Sequence, residues 1–263
     1  MPNSIDIHRK CRNLALTVQG EDNRITVKSP GWQGCIQVCG CGNSVCIEED
    51  VTADMPTYIR IGTADSPCFR SSIRIGRGTT IVQADIELFD DDSRIDIGED
   101  CLFSSRVRLW CSDSHALADA EGRVRLGREI LIGDRVWLGL DTKICKNSRI
   151  ADDCVVGWGS VVAGRFEEPR CVIAGAPAAV RRRGVTWSKC RPCDHPAAPQ
   201  ERRAQDLAAY RAARPRREEY RKGLLRRRLY FLLRALLSFS AAKRARYRAK
   251  AAAIREVTDG VPF

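Results

Sequence analysis

Three histidines, His8, His115 and His195, carry the side chains whose ordinary pKa of about 6.5 lies near neutrality. An imidazole there can take a proton at one step of a reaction and return it at the next. His8 stands near the beginning of the chain and His195 in a basic tail. His115 sits in the polar segment Ser112-Asp113-Ser114-His115, where a regular pattern breaks off. In isolation it reads equally as a solvated loop residue and as a general base. Asp113, two positions earlier, can orient the ring or support the turn. The thirteen cysteines offer a second chemistry, but their number is odd and their spacing shows no paired ligand pattern. CGCGNSVC (39–46) lacks a second half, and CRPC (190–193) with His195 is half a metal site at best. No metal is expected. Cysteine as a small apolar filler is the plainer reading.

The elements that would position His115 are written in sixes. From Ile132 the chain divides into IGDRVW, LGLDTK, ICKNSR, IADDCV, VGWGSV and VAGRFE. Their leading residues, Ile132, Leu138, Ile144, Ile150, Val156 and Val162, are all aliphatic. The fifth places, Val136, Thr142, Ser148, Cys154, Ser160 and Phe166, are mostly small or β-branched. A second run starts at Ile97, and I-x-I-G occurs at 59–62, 73–76, 95–98 and 130–133. A step of six suits neither the 3.6 period of a helix nor simple strand alternation. It fits a short strand and a turn repeated, with three sixes closing a triangular coil. Leading aliphatics then stack inside at the strand spacing of about 4.8 Å, and the fifth residue must be small because it lies near a crowded corner. A β-sandwich would need hairpin turns that are missing. The hexads stop from Ser112 to about Glu129, so His115 opens a loop that projects from the coil.

Charge separates two regions of the 263 residues. Residues 1–180 hold 21 basic and 26 acidic side chains, whereas 181–263 hold 23 and 7, so an acidic body carries a basic tail. No apolar run approaches the ~20 residues that span a bilayer. No secretory signal is evident at the start, which points to the cytoplasm.

The phrases IGDRVWLG (132–139), VGWGSVVAG (156–164) and VIAGAPAAVRR (172–182) are similar to those of the hexapeptide-repeat acyltransferases, and FSSRVRLWCSDSHAL (103–117) resembles their catalytic loop. The nearest branch is the sugar and polysaccharide O-acetyltransferases. The resemblance covers about 55–187, roughly half the chain. It implies a mainly β fold, a left-handed parallel β-helix; the handedness comes from the resemblance, since ordinary crossovers favour the right hand. It further implies an acetyl-CoA-dependent O-acetyltransferase with His115 as general base, Asp113 in support and no acyl-enzyme. Trp137, Leu140, Trp158, Ala163 and Arg182 fall at the family's coenzyme A positions. Trp158 replaces the usual alanine, and Ala163 with Gly164 replaces a common Thr-Lys pair. Homotrimers with sites between neighbouring coils are implied too.

The expected organisation is a β-rich cap with early coils (1–54), the β-helix (55–187) and a basic helical extension (188–263). Within the extension, Leu225, Leu229, Leu232, Leu236 and Phe239 share one helical face flanked by arginines. That face suits an anionic membrane surface or a protein partner; nucleic acid is not expected, for want of a recognition motif. The expected acceptor is a sugar or polysaccharide hydroxyl. N-acetylation of an amino-sugar nucleotide on the same fold, or a non-catalytic scaffold, are the alternatives. A zinc carbonic anhydrase fails because two of the three histidines lie outside the coil.

Overall fold

A computed structural model describes residues 1–11, 13–196 and 201–213, with Arg226, Leu229, Tyr230, Leu232, Leu233, Ala245, Arg248 and Ala252 as single helical positions. The chain divides into two compact units, Met1–Lys189 and Cys190–Phe263. Apart from the single positions named, the amphipathic stretch 224–239 lies outside the described residues.

The first unit is a parallel β-helix. Its strands line up in three sheets of eight, seven and eight. The first sheet contains Arg94–Ile97, Glu129–Ile132 and Ser148–Ile150; the second contains Leu102–Phe103, Trp137–Leu138 and Val155–Val156; the third contains Thr57–Ile61, Ala84–Leu88, Val107–Trp110 and Lys143–Cys145. Among the described strands every pairing is parallel except the last, in which Ala178–Arg182 folds back on Val172–Gly175. The strands of 1–54 are rungs of the same sheets, beginning with Ser4–Ile7 on Arg24–Val27.

Alternation along each strand sends one residue in two to the interior. Ile25, Val45, Ile73, Ile95 and Ile130 form one inward column, each at most 1 % exposed. Such burial contributes about 1.5–3 kcal/mol per aliphatic side chain. The fifth places behave as the spacing predicts: Cys101, Val136, Thr142, Cys154 and Ser160 are 0 % exposed and Ser148 1 %. Phe166, near the end of the coil, is half-buried.

Corners need a left-handed residue, and Asp92, Arg106, Arg135, Asp141, Asn147 and Asp153 adopt φ between 50° and 60°. Several pair with the next coil: Arg70 with Asp92 at 2.7 Å, Arg106 with Asp141 at 2.6 Å, Arg135 with Asp153 at 2.7 Å. Being exposed, these pairs contribute only about 0–1 kcal/mol each.

The step between paired positions is eighteen between Asp134 and Asp152, twenty-two between Arg70 and Asp92, and thirty-five between Arg94 and Glu129. The long step holds the hexad break. Beyond the last coil, residues 185–189 run back along it. Val185 N–H donates to Arg170 O (2.9 Å), Trp187 Nε1 to Arg135 O (2.6 Å) and Lys189 Nζ to Gly78 O (2.8 Å). In the second unit, helix α1 spans Glu201–Ala213.

Candidate active site

The His115 loop leaves the third sheet after Trp110 and re-enters the first sheet at Glu129. Its tip is a small turn closed by Asp119, whose Oδ1 accepts from the N–H groups of Glu121 (3.1 Å) and Arg123 (2.9 Å). Its base is tied from three directions. Asp90, at the end of the coil below, accepts from Ser112 Oγ at 3.0 Å and from Gly127 N–H at 2.6 Å, so one carboxylate holds both ends. Gly127 lies so close to the Cys111 carbonyl that a Cβ would collide with it, which is why glycine stands there. Asn147 donates from Nδ2 to Leu126 O (3.0 Å) and accepts at Oδ1 from Arg128 N–H (2.9 Å). Lys146 meets Asp113 Oδ2 at 2.5 Å and donates to Arg125 O.

Next to His115, Ser114 has φ 62°, a turn held by its N–H on Ser112 Oγ (2.9 Å). Trp110 Nε1 donates to Ser114 Oγ at 3.3 Å, and its ring leans on Phe89 with centroids 5.2 Å apart. His115 itself is exposed, and no hydrogen bond or ion pair engages its ring among the described residues. The Asp113 carboxylate rests on Lys146 rather than on the imidazole. Below the loop, burial pushes the Cys111 thiol up to about 12 and raises the Glu87 carboxyl.

Of the residues placed at coenzyme A positions, Ala163 alone shares the corner of the His115 loop; the others lie elsewhere on the coil. Trp137 stands on the second sheet, half-buried, with Nε1 on Ser104 Oγ (3.3 Å) and its ring 6.0 Å from that of Trp187. Leu140 and Trp158 occupy successive rungs of the corner between the second and third sheets, joined by Gly159 N–H on Leu140 O at 2.8 Å. The Trp158 indole is 74 % exposed and lies over Gly139, where any Cβ would meet it. Ala163 is exposed at the corner between the third and first sheets, above Lys146 and Asn147. Arg182 ends the returning strand, and its side chain makes no ion pair among the described residues. Its neighbours are committed: Arg181 Nε donates to Ala174 O (2.9 Å) and Arg183 pairs with Glu168 (2.8 Å).

One chain therefore does not bring the whole set together. His115 and Ala163 belong to one corner; Leu140 and Trp158 belong to another, a strand of the third sheet away, roughly 10 Å at 3.3 Å per residue. Asp90, Ser112, Trp110, Lys146 and Asn147 are the residues that sequence reasoning missed. Asp90 reads as part of the acidic run Asp90-Asp91-Asp92, and nothing in ICKNSR points thirty-three positions back to Asp113. Asn147 alone carried a signal, since asparagine favours the left-handed corner.

The coil is a left-handed parallel β-helix, the architecture of the hexapeptide-repeat acetyltransferases. Two solved structures share this fold over most of their length. The polySia-specific acetyltransferase NeuO superposes with a TM-score of 0.60 at 22% identity, over 79% of this chain and 92% of that one. The polysialic acid O-acetyltransferase OatWY does so with 0.60 at 24%, over 73% and 90%. In sequence, a polysialic acid O-acetyltransferase of Neisseria meningitidis is 32% identical over 77 residues, which are 28% of this chain and 35% of the relative. The match thus spans about a third of that relative's length. No family model matches the chain.

Proposed function

We propose that this chain is an acetyl-CoA-dependent O-acetyltransferase of a sugar or polysaccharide hydroxyl, with His115 as general base. The observation that carries it is an exposed imidazole at the start of a loop fastened at both ends to an acetyltransferase-type coil. The residues fit coenzyme A: Arg182, which makes no ion pair among the described residues, offers a fork for a phosphate, and Trp158 offers an open indole face. Acetyl-CoA supplies the acetyl group as a thioester. The His115 ring removes the acceptor hydroxyl proton as that oxygen attacks, and as imidazolium returns a proton to the departing sulfur. Backbone N–H groups at the loop stabilise the developing oxyanion. The cysteines take no part; the nearest in sequence, Cys111, is buried and neutral.

The separation of His115 from Leu140 and Trp158 supports a homotrimer in which one protomer brings the base and its neighbour the coenzyme strip. The amphipathic pattern at 224–239 supports a peripheral place on an anionic, cytoplasmic membrane face; no helix among the described residues is long and apolar enough to cross a membrane. Equal recovery of full-length and 1–197 protein with anionic liposomes would refute that placement.

The decisive experiment measures acetyl-CoA turnover and product mass with a panel of glycans, polysialic acid first because the relatives are named for it. His115→Ala is expected to lower kcat by about 10²–10⁴ with the circular dichroism of the coil unchanged. Wild-type turnover in His115→Ala, or none in the wild type with any glycan, defeats the reading.

A further inference from the structure

Lys146 differs from the other cations of the coil. Among the ion pairs formed between described residues, the other basic side chains are at least 39 % exposed, whereas that of Lys146 is 14 % exposed. An ammonium drawn this far out of water needs acceptors around it. It has two, and both belong to the loop: the Asp113 carboxylate, two residues before His115, and the Arg125 carbonyl, ten residues after it. One ammonium, with three donors to give, thus spans the loop on either side of the imidazole. Its own backbone is fixed by the left-handed corner at Asn147, whose side chain grips Leu126 and Arg128. Beneath this contact, Arg94–Ile97 pairs in register with Glu129–Ile132, and Ile130 and Ile132 are buried.

We propose that Lys146 is the positioning residue of the acyl-transfer site, tying the two limbs of the 112–128 loop to one corner of the coil and so fixing where the His115 ring stands. The proposal rests on the reading of His115 as the base. Asp113 then serves as the anchor through which Lys146 acts, and its carboxylate reaches the imidazole only by way of the loop backbone. Orientation of a base by such a support alters the chemical step rather than the affinity for the acyl donor.

The test compares Lys146→Met, which keeps the stem and removes the charge, with Lys146→Arg and Asp113→Asn. Acetyl-CoA and polysialic acid serve as substrate probes, and trypsin cleavage after Arg125, read by mass spectrometry, reports on the loop. For Lys146→Met and Asp113→Asn we expect kcat to fall at least tenfold, with KM for acetyl-CoA within twofold. Cleavage after Arg125 should become at least tenfold faster while the coil stays resistant. Lys146→Arg should recover most of both properties. Wild-type kcat together with wild-type cleavage in Lys146→Met overturns the proposal. Absence of turnover in the wild type sinks the acyltransferase reading instead, and the cleavage rates alone then decide whether Lys146 holds the loop.

Discussion

The fifth places of the hexads allow a prediction with opposite signs at equivalent positions. Thr142, Ser148 and Ser160 all point into the coil, at most 1 % exposed. Ser160 Oγ donates to Gly157 O at 2.7 Å and accepts from Gly175 N–H at 3.2 Å; Ser148 Oγ donates to Val162 O at 3.1 Å and accepts from Gly164 N–H at 3.3 Å. Thr142 Oγ1 has no hydrogen-bond partner among the described residues. A buried hydroxyl without a partner costs about 1–3 kcal/mol. Thr142→Val keeps the shape and removes the hydroxyl, and Val136 already fills the preceding fifth place. It should therefore stabilise the coil by about 1–2 kcal/mol, or about 2–4 °C in Tm per kcal/mol for a domain of this size. Ser160→Ala deletes two bonds and strands a backbone N–H, so it should destabilise by about 1–3 kcal/mol. Urea unfolding followed by circular dichroism and tryptophan fluorescence measures both, with the midpoint moving at constant slope. A Thr142→Val protein less stable than wild type by 1 kcal/mol or more, or a neutral Ser160→Ala, would refute the reasoning.

Two other outcomes follow from the same structure. Burial pushes the thiols of Cys101 and Cys111 up to about 12 and of Cys68 up to about 11, from an ordinary 9.0. Below pH 9 folded and unfolded chains hold these protons alike. Above it the unfolded thiols release them first, so stability falls by up to about 1.4 kcal/mol per thiol per pH unit. A urea midpoint as high at pH 10 as at pH 8 contradicts this, as would iodoacetamide at pH 8 reaching Cys101 before the exposed Cys190. If neighbouring protomers share the site, mixing unfolded His115→Ala and Arg182→Ala chains and refolding them together should restore part of the activity at low acetyl-CoA. Activity no higher than that of the separate variants places His115 and Arg182 in one chain's site.

The hexads made the interior legible because each position faces inward by a local rule. Val136, Cys154 and Ser160 could be placed without knowing what stacks above them, and the break at 112–129 marked the loop. What holds that loop was hidden. Lys146 reaches Asp113, and Asp90 reaches both Ser112 and Gly127, across separations set by how many residues each turn of the coil contains. An inserted loop changes that number, from eighteen at Asp134–Asp152 to thirty-five at Arg94–Glu129. A short-range pattern does not encode the resulting partner. The same applies to Trp187, which meets Arg135 only because the chain reverses after the last coil.

The long step at Arg94–Glu129 has an evolutionary consequence. The strands on either side of the insertion meet in the same register as strands separated by a shorter step, with Ile95 on Ile130 as Ile73 is on Ile95. A corner can therefore gain or lose residues while the interior column stays aligned. On the proposed function, the loop that carries His115 can change toward new acceptors while the interior column keeps its register, so substrate choice and core packing rest on different residues.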